Sequence, residues 1–186
     1  MVVASILIGL LTPASAASTA MPNIIFILAD DLGVGDVGCY GGKAISTPNI
    51  DGLATEGLRF LNAYSASAVC APTRCGLMTG LHMGHATRRA NASQNGLINL
   101  RADEITVAEL LKQKGYATGG FGKWGLGNPG TTGVPEKHGF DVFFGYYDQE
   151  HAHNYFPAFL VRNSQDVPLP GGNGVHGKAG KGTAYS

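Results

Sequence analysis

Cysteine is scarce: Cys39, Cys70 and Cys75 are the only three in 186 residues. So odd and sparse a set excludes a disulfide framework. An oxidising compartment would leave Cys39–Cys75 open as a pairing. Net charge is also lacking, since 13 Lys and Arg offset 13 Asp and Glu. That balance removes the electrostatic case for nucleic acid or a charged membrane surface. The N-terminal apolar run, Val2–Leu11, is too short to span a bilayer, so no stable membrane insertion is expected. Internal repeats and domain linkers are absent. What is present is enough chain for one domain with a real core, and 28 glycines for tight turns and close backbone approaches.

Val2–Leu11 ends in Thr12-Pro13 and is followed by Ala14-Ser15-Ala16. That is an h-region with an A-x-A cleavage site, without a basic n-region. Residues 1–20 therefore read as a signal peptide and 21–186 as the folded part. The mature protein is expected to be exported, periplasmic or extracellular.

The chemistry centres on Cys70-Ala71-Pro72-Thr73-Arg74-Cys75-Gly76-Leu77-Met78-Thr79-Gly80. Pro72 suits a first helical turn, where its missing N–H has no partner to lose, and Gly80 reads as the stop. Cys70 is thereby expected just before a helix N-terminus, where unpaired N–H groups and the macrodipole favour negative charge. Arg74, one turn on, adds a fixed cation.

Asn23–Ala29 is a nearly unbroken apolar run and predicts a strand buried on both faces. Asp30-Asp31 closes it, where open α/β sheets place their ligand crevice. Two adjacent carboxylates suit a hard divalent ion. Asp36, further down the loop, reads as structural. Thr47-Pro48 and Gly57 bracket a helix whose Ile50, Leu53 and Ala54 have core-facing spacing, and Leu58–Tyr64 predicts a returning strand. His82 and His85 stand one turn apart and are given no catalytic role. Asn91-Ala92-Ser93 fits a glycosylation sequon. Thr106 and Glu109 form a capping box opening a helix over Val107–Lys114, and Tyr116–Phe121 predicts the next strand. Lys123 follows it among glycines, placed to reach an anion in the crevice. The order strand, helix, strand argues an α/β fold with a parallel sheet.

These runs resemble the type I, formylglycine-dependent sulfatases of the alkaline phosphatase superfamily. The signature is Cys-x-Pro-x-Arg with a following Thr-Gly, with Thr73 where many members have Ser. Asn23–Asp31, the Thr-Pro-Asn-Ile-Asp helix and Gly122-Lys123-Trp124-Gly125-Leu126-Gly127 also match. The resemblance covers residues from about 22 to 163 and implies the N-terminal part of an arylsulfatase-like catalytic domain. It further implies a mostly parallel sheet flanked by helices. Cys70 would be oxidised to formylglycine by a formylglycine-generating enzyme. Asp30, Asp31 and residue 70 would hold calcium, with magnesium the second choice, while Arg74 orients residue 70. Lys123 would contact both formylglycine and the sulfate ester, itself a small molecule or a carbohydrate. Position 125 departs from the pattern, being Gly where most sulfatases carry a histidine that bonds the formylglycine hydroxyl. A subset shares this glycine, together with the runs at Gly139–Tyr146 and His151–Tyr155. His151 or His153 is accordingly expected to fill the space, with His153 as the catalytic candidate. The family's remaining metal ligands come from beyond this length. A truncated non-catalytic fragment or pseudo-enzyme is therefore the alternative, followed by a phosphodiester or phosphonate hydrolase of the same superfamily.

Overall fold

A computed structural model describes residues 21–91 and 99–173. The expected signal peptide, the Ala92-Ser93 part of the sequon and all but the first residues of the Gly-rich stretch at 171–182 lie outside the described residues. The chain divides into two compact units, Met1–Asp51 and Gly52–Ser186.

In the first unit Asp51 gathers the loop that precedes it. Its Oδ1 accepts from Cys39 N at 2.6 Å and from Thr47 Oγ1 at 3.1 Å. Thr47 Oγ1 in turn accepts from Gly38 N at 2.8 Å. Short 3-10 turns occupy Val34–Asp36 and Gly38–Tyr40, and Asp36 Oδ2 takes Gly33 N at 3.0 Å, the structural part its position suggested. Helix α1 runs Pro48–Glu56, between the start and stop that Thr47-Pro48 and Gly57 predict.

Three expectations are corrected here. Asn23–Ala29 forms no strand and lies open, with Ile25 85% and Ile27 81% exposed. Leu58–Tyr64 likewise forms no strand. Nor does α1 bury Ile50 or Leu53. Apolarity creates a demand for burial, but a strand also needs a neighbour to take its N–H and C=O groups. Neither run is paired as a strand among the described residues.

The second unit carries the sheet. Helix α2 spans Cys70–Thr79 and α3 spans Val107–Gln113. The capping box of α3 is formed: Thr106 Oγ1 accepts from Glu109 N at 3.3 Å, and Glu109 Oε2 accepts from Thr106 N at 2.8 Å. Strand β1 runs Gly119–Lys123, three residues later than the spacing predicts at its start. It is followed by β2 (Val142–Tyr146), β3 (Phe159–Arg162) and β4 (Gln165–Pro168) in spatial order β1-β2-β3-β4. β1 and β2 are parallel, from Gly119↔Val142 to Lys123↔Tyr146, and the other two pairings are antiparallel. The α/β class stands; the described sheet is mixed. Its core is built on Trp124, Leu126, Val134, Phe143, Tyr147 and Val161, with Cys75 and Ala86 from the α2 side. Trp124 meets Phe140 and Phe143 edge-on at 5.6 and 5.7 Å, and its Nε1 donates to Gly133 O at 2.7 Å. The residue after Lys123 is thus anchored in the core.

Asp141, at the foot of β2, ties α3 to the sheet. It accepts from Lys112 Nζ, and from Thr118 N at 2.9 Å and Thr118 Oγ1 at 3.1 Å. The Lys112 hydrogen bond, then those from Thr118, hold its carboxyl down from 3.8 to about 2. A depressed carboxylate stabilises the fold above its unfolded value, and that contribution is lost as pH falls through the folded one. Urea unfolding at neutral pH and near pH 2 should therefore show a smaller acid loss in Asp141→Asn than in the parent chain. Equal losses would assign the acid sensitivity elsewhere.

Candidate active site

Cys70 is the first residue of α2, one place further in than expected, because Val69 takes the N-cap with extended φ, ψ of −128° and 154°. Val69 has no side-chain acceptor to offer the open N–H groups. Asn91, from 20 residues downstream, supplies one: its Oδ1 accepts from Ala71 N at 3.0 Å. The polar run after Gly80 shapes the loop that delivers it. His82 Nδ1 accepts from Gly84 N at 3.0 Å, Arg89 bonds the carbonyls of Ala86 and Gly84 at 2.9 Å each, and buried Arg88 bonds the carbonyl of Asn91. Before the helix, Thr73 Oγ1 bonds Ser67 O at 2.7 Å and pairs with Ser65 Oγ at 2.8 Å. Cys70 is half-buried at the head of this frame. Cys75, on the same helix, is fully buried, and burial pushes its thiol up, away from reactivity. None of the three cysteines is in a disulfide.

Arg74 lies four residues after Cys70, on the same face of α2. Its Nη1 donates to the main-chain carbonyl of Lys123, the last residue of β1. This contact draws the sequence-predicted catalytic groups together, docking the start of α2 against the C-terminal end of β1. Lys123 Nζ lies 3.3 Å from His153 Nε2. With Lys123 protonated, that contact needs a lone pair on Nε2, which puts the imidazole proton on Nδ1.

The expectation for position 125 is corrected. Gln149, and neither histidine, fills the space, its Nε2 1.9 Å from where a Cβ at Gly125 would stand. His151 is buried between Tyr146 and Phe159, with ring centroids at 5.2 and 4.6 Å. His153 is turned to Lys123 instead. Asp148 sets this segment, its Oδ1 accepting from Glu150 N at 2.8 Å and His151 N at 3.0 Å. Sequence reading missed both Gln149 and Asn91. The bare glycine in a Lys-Trp-Gly run was the available signal that another chain segment supplies a side chain there. Nothing local said which.

Asp30 and Asp31 are exposed carboxylates after the apolar run, and Asp31 adopts φ +60°. They fit a hard cation as donors, but only as part of a shell, because calcium takes about six to eight oxygens. Among the described residues no group of three or more His, Cys, Asp and Glu is gathered to hold a metal. Cys70 accordingly belongs to no such group.

Comparison with known proteins bears on this geometry. The sulfatase family model matches residues 22–176. An N-acetylgalactosamine-6-O-sulfatase of Bacteroides thetaiotaomicron is 48% identical over 113 residues, covering 60% of this chain and 22% of its own. Human steryl-sulfatase is 41% identical over 152 residues, covering 75% of this chain and 26% of its own. Among solved structures, BT4656 in complex with its substrate D-glucosamine-2-N,6-O-disulfate superposes with TM-score 0.65 at 31% identity. That match covers 81% of this chain and 28% of the other. The chain spans about a quarter of the length of the curated relatives it matches.

Proposed function

The chain belongs to the sulfatase family, and from that premise we propose that it carries the nucleophile-bearing part of a sulfuric ester hydrolase. The observation that carries the reading is the Arg74–Lys123 hydrogen bond, which joins the head of α2 to the end of β1. Cys70, Arg74 and Lys123 thereby share one end of the sheet, with His153 on the Lys123 ammonium.

In this reading the aldehyde made from Cys70 supplies, as its hydrate, a nucleophilic hydroxyl, and a divalent ion on Asp30 and Asp31 supplies compensating charge. The chain's own side chains do the rest. Lys123 holds sulfate oxygens, its charge answering the charge that builds on them in the transition state. Arg74 keeps residue 70 facing Lys123 through the main chain, so the pair stays aligned without spending the guanidinium on substrate. His153 meets the Lys123 ammonium at Nε2 and is the imidazole this reading assigns to move a proton at the leaving oxygen. Sulfated carbohydrates are the favoured substrate class, since BT4656 is bound to a sulfated glucosamine. Export to the periplasm or beyond, with a maturation partner that forms the aldehyde, completes the proposal. Among the described residues no helix is long and apolar enough to cross a membrane.

Peptide mapping across Cys70 after co-expression with a formylglycine-generating enzyme tests the reading. Conversion lowers the residue mass and creates a carbonyl that hydrazide reagents label; this is the expected result. If residue 70 stays a thiol while a control sulfatase converts, the nucleophile is missing and the hydrolase reading is withdrawn.

A further inference from the structure

Residue 70 occupies the first position of α2, and helix ends fray. The first turn is thinly bonded. Thr73 N donates to Val69 O at 3.1 Å, but Pro72 has no N–H to add and Val69 offers no side-chain cap. That leaves the amides of Cys70 and Ala71. Cys70 is half-buried and within reach of solvent, whereas Ala71 is fully buried. A buried N–H needs a protein acceptor, and leaving it without one costs stability.

Asn91 Oδ1 is that acceptor, 3.0 Å from Ala71 N and 20 residues away in the chain. Ala71 N lies in the same rigid peptide plane as the carbonyl of Cys70. Whatever holds that plane fixes the backbone from which the residue 70 side chain departs. A hydroxyl or carboxylate at position 69 would cap the helix locally and would travel with it. Asn91 instead ties the plane to a separate frame. Buried Arg88 donates from Nη2 to the Asn91 carbonyl, and Ala86, two residues before Arg88, sits in the core cluster with Cys75. Further along α2, Arg74 bonds the Lys123 carbonyl. One tether leaves the head of the helix free to tilt; the second removes that freedom.

We propose that Asn91 is a positioning residue for the reaction: it ties the Cys70–Ala71 peptide to the Arg88 frame and so fixes the backbone from which residue 70 presents its nucleophile. The inference rests on the sulfatase reading. Asn91 acts through residue 70 and touches no substrate. Misplacing a nucleophile lowers the rate of the chemical step more than it weakens substrate binding, so the effect belongs in kcat.

The test uses the full-length protein with the aldehyde formed at residue 70 and an aryl sulfate as probe. Rates are expressed per aldehyde, counted by hydrazide labelling. Asn91→Ala cuts the tether but keeps the main-chain carbonyl that Arg88 bonds. Its kcat should fall about 10- to 10²-fold with KM little changed, and its melting temperature should drop as for a lost cap. Adding Val69→Ser to Asn91→Ala supplies a local cap, because the new hydroxyl can accept from Ala71 N. The double variant should regain the melting temperature and stay slow. Asn91→Asp keeps the acceptor and should restore most of kcat, its added charge raising KM for an anionic ester.

Parent-like kcat in a stable double variant would make Asn91 a cap and nothing more. The inference then fails, while the parent's own turnover leaves the sulfatase reading intact. Should Asn91→Ala not fold, the double variant, which has its cap, carries the same test. An Asn91→Asp protein that folds yet loses kcat as severely as the alanine variant would overturn the inference equally. A parent protein that carries the aldehyde and cleaves no sulfate ester brings down both.

Discussion

Lys123→Ala in the full-length protein should leave the fold intact and cut kcat/KM for a sulfate ester by about 10³-fold or more, above the 10²- to 10³-fold cost of one neutral oxyanion donor. Separating the two effects is feasible because of where the side chain sits. Arg74 bonds the main-chain carbonyl of Lys123, so the α2–β1 junction does not depend on the side chain. The same holds for the parallel register, in which Lys123 faces Tyr146 through backbone alone. Removing the ammonium takes away charge at the sulfate, and it also frees His153 Nε2 from its contact at 3.3 Å. Lys123→Arg should rescue poorly, because a planar fork cannot present a point charge to both sulfate and imidazole. Turnover of an aryl sulfate, read with a thermal melt, decides the matter. A variant with an unchanged melt and parent-like kcat/KM would remove Lys123 from the site.

Legibility divides along the range of the interactions involved. All three helices were readable because caps are local: Pro48 and Gly57 around α1, Gly80 after α2, and the Thr106–Glu109 box on α3 are encoded within a few residues. The helix within Cys70–Gly80 was readable for the same reason. Strands were not. Asn23–Ala29 and Leu58–Tyr64 have strand composition, yet composition cannot supply a paired neighbour. β1 begins at Gly119 rather than Tyr116 because its limits are set by pairing with Val142–Tyr146. Gln149 was invisible because its meaning lies in a contact across 24 positions with a residue that has no side chain. The helix-capping role of Asn91 hid behind a sequon pattern that carries no information on tertiary contact.

One of the closest backbone approaches in the sheet lies immediately before Lys123, and it sets the other large expectation. Gly122 and Gly145 are register partners across the parallel β1–β2 pair. A Cβ at Gly145 would stand 2.0 Å from the Gly122 oxygen and 2.8 Å from its carbon and nitrogen. The obstacle is backbone, which cannot swing aside as a side-chain tip can, so the strands must separate. Gly145 also has φ +153°, which a β-carbon disfavours. Overpacking costs about 1–3 kcal/mol and an unfavourable backbone conformation about 1–3 kcal/mol. Gly145→Ala is therefore expected to lose about 3 kcal/mol or more, a large share of a typical domain's stability of about 5–15 kcal/mol. Gly122→Ala is the internal control. Its Cβ would meet nothing within 4 Å, although φ is +97°. It therefore carries only the conformational cost, about 1–2 kcal/mol. Urea denaturation of the two variants separates steric from conformational strain, and equal losses would mean that the strand contact is not tight. Because Lys123 follows Gly122 directly, opening this pair also moves the ammonium from His153. Gly145→Ala should thus lower turnover even at temperatures where it remains folded, whereas Gly122→Ala should retain most of it.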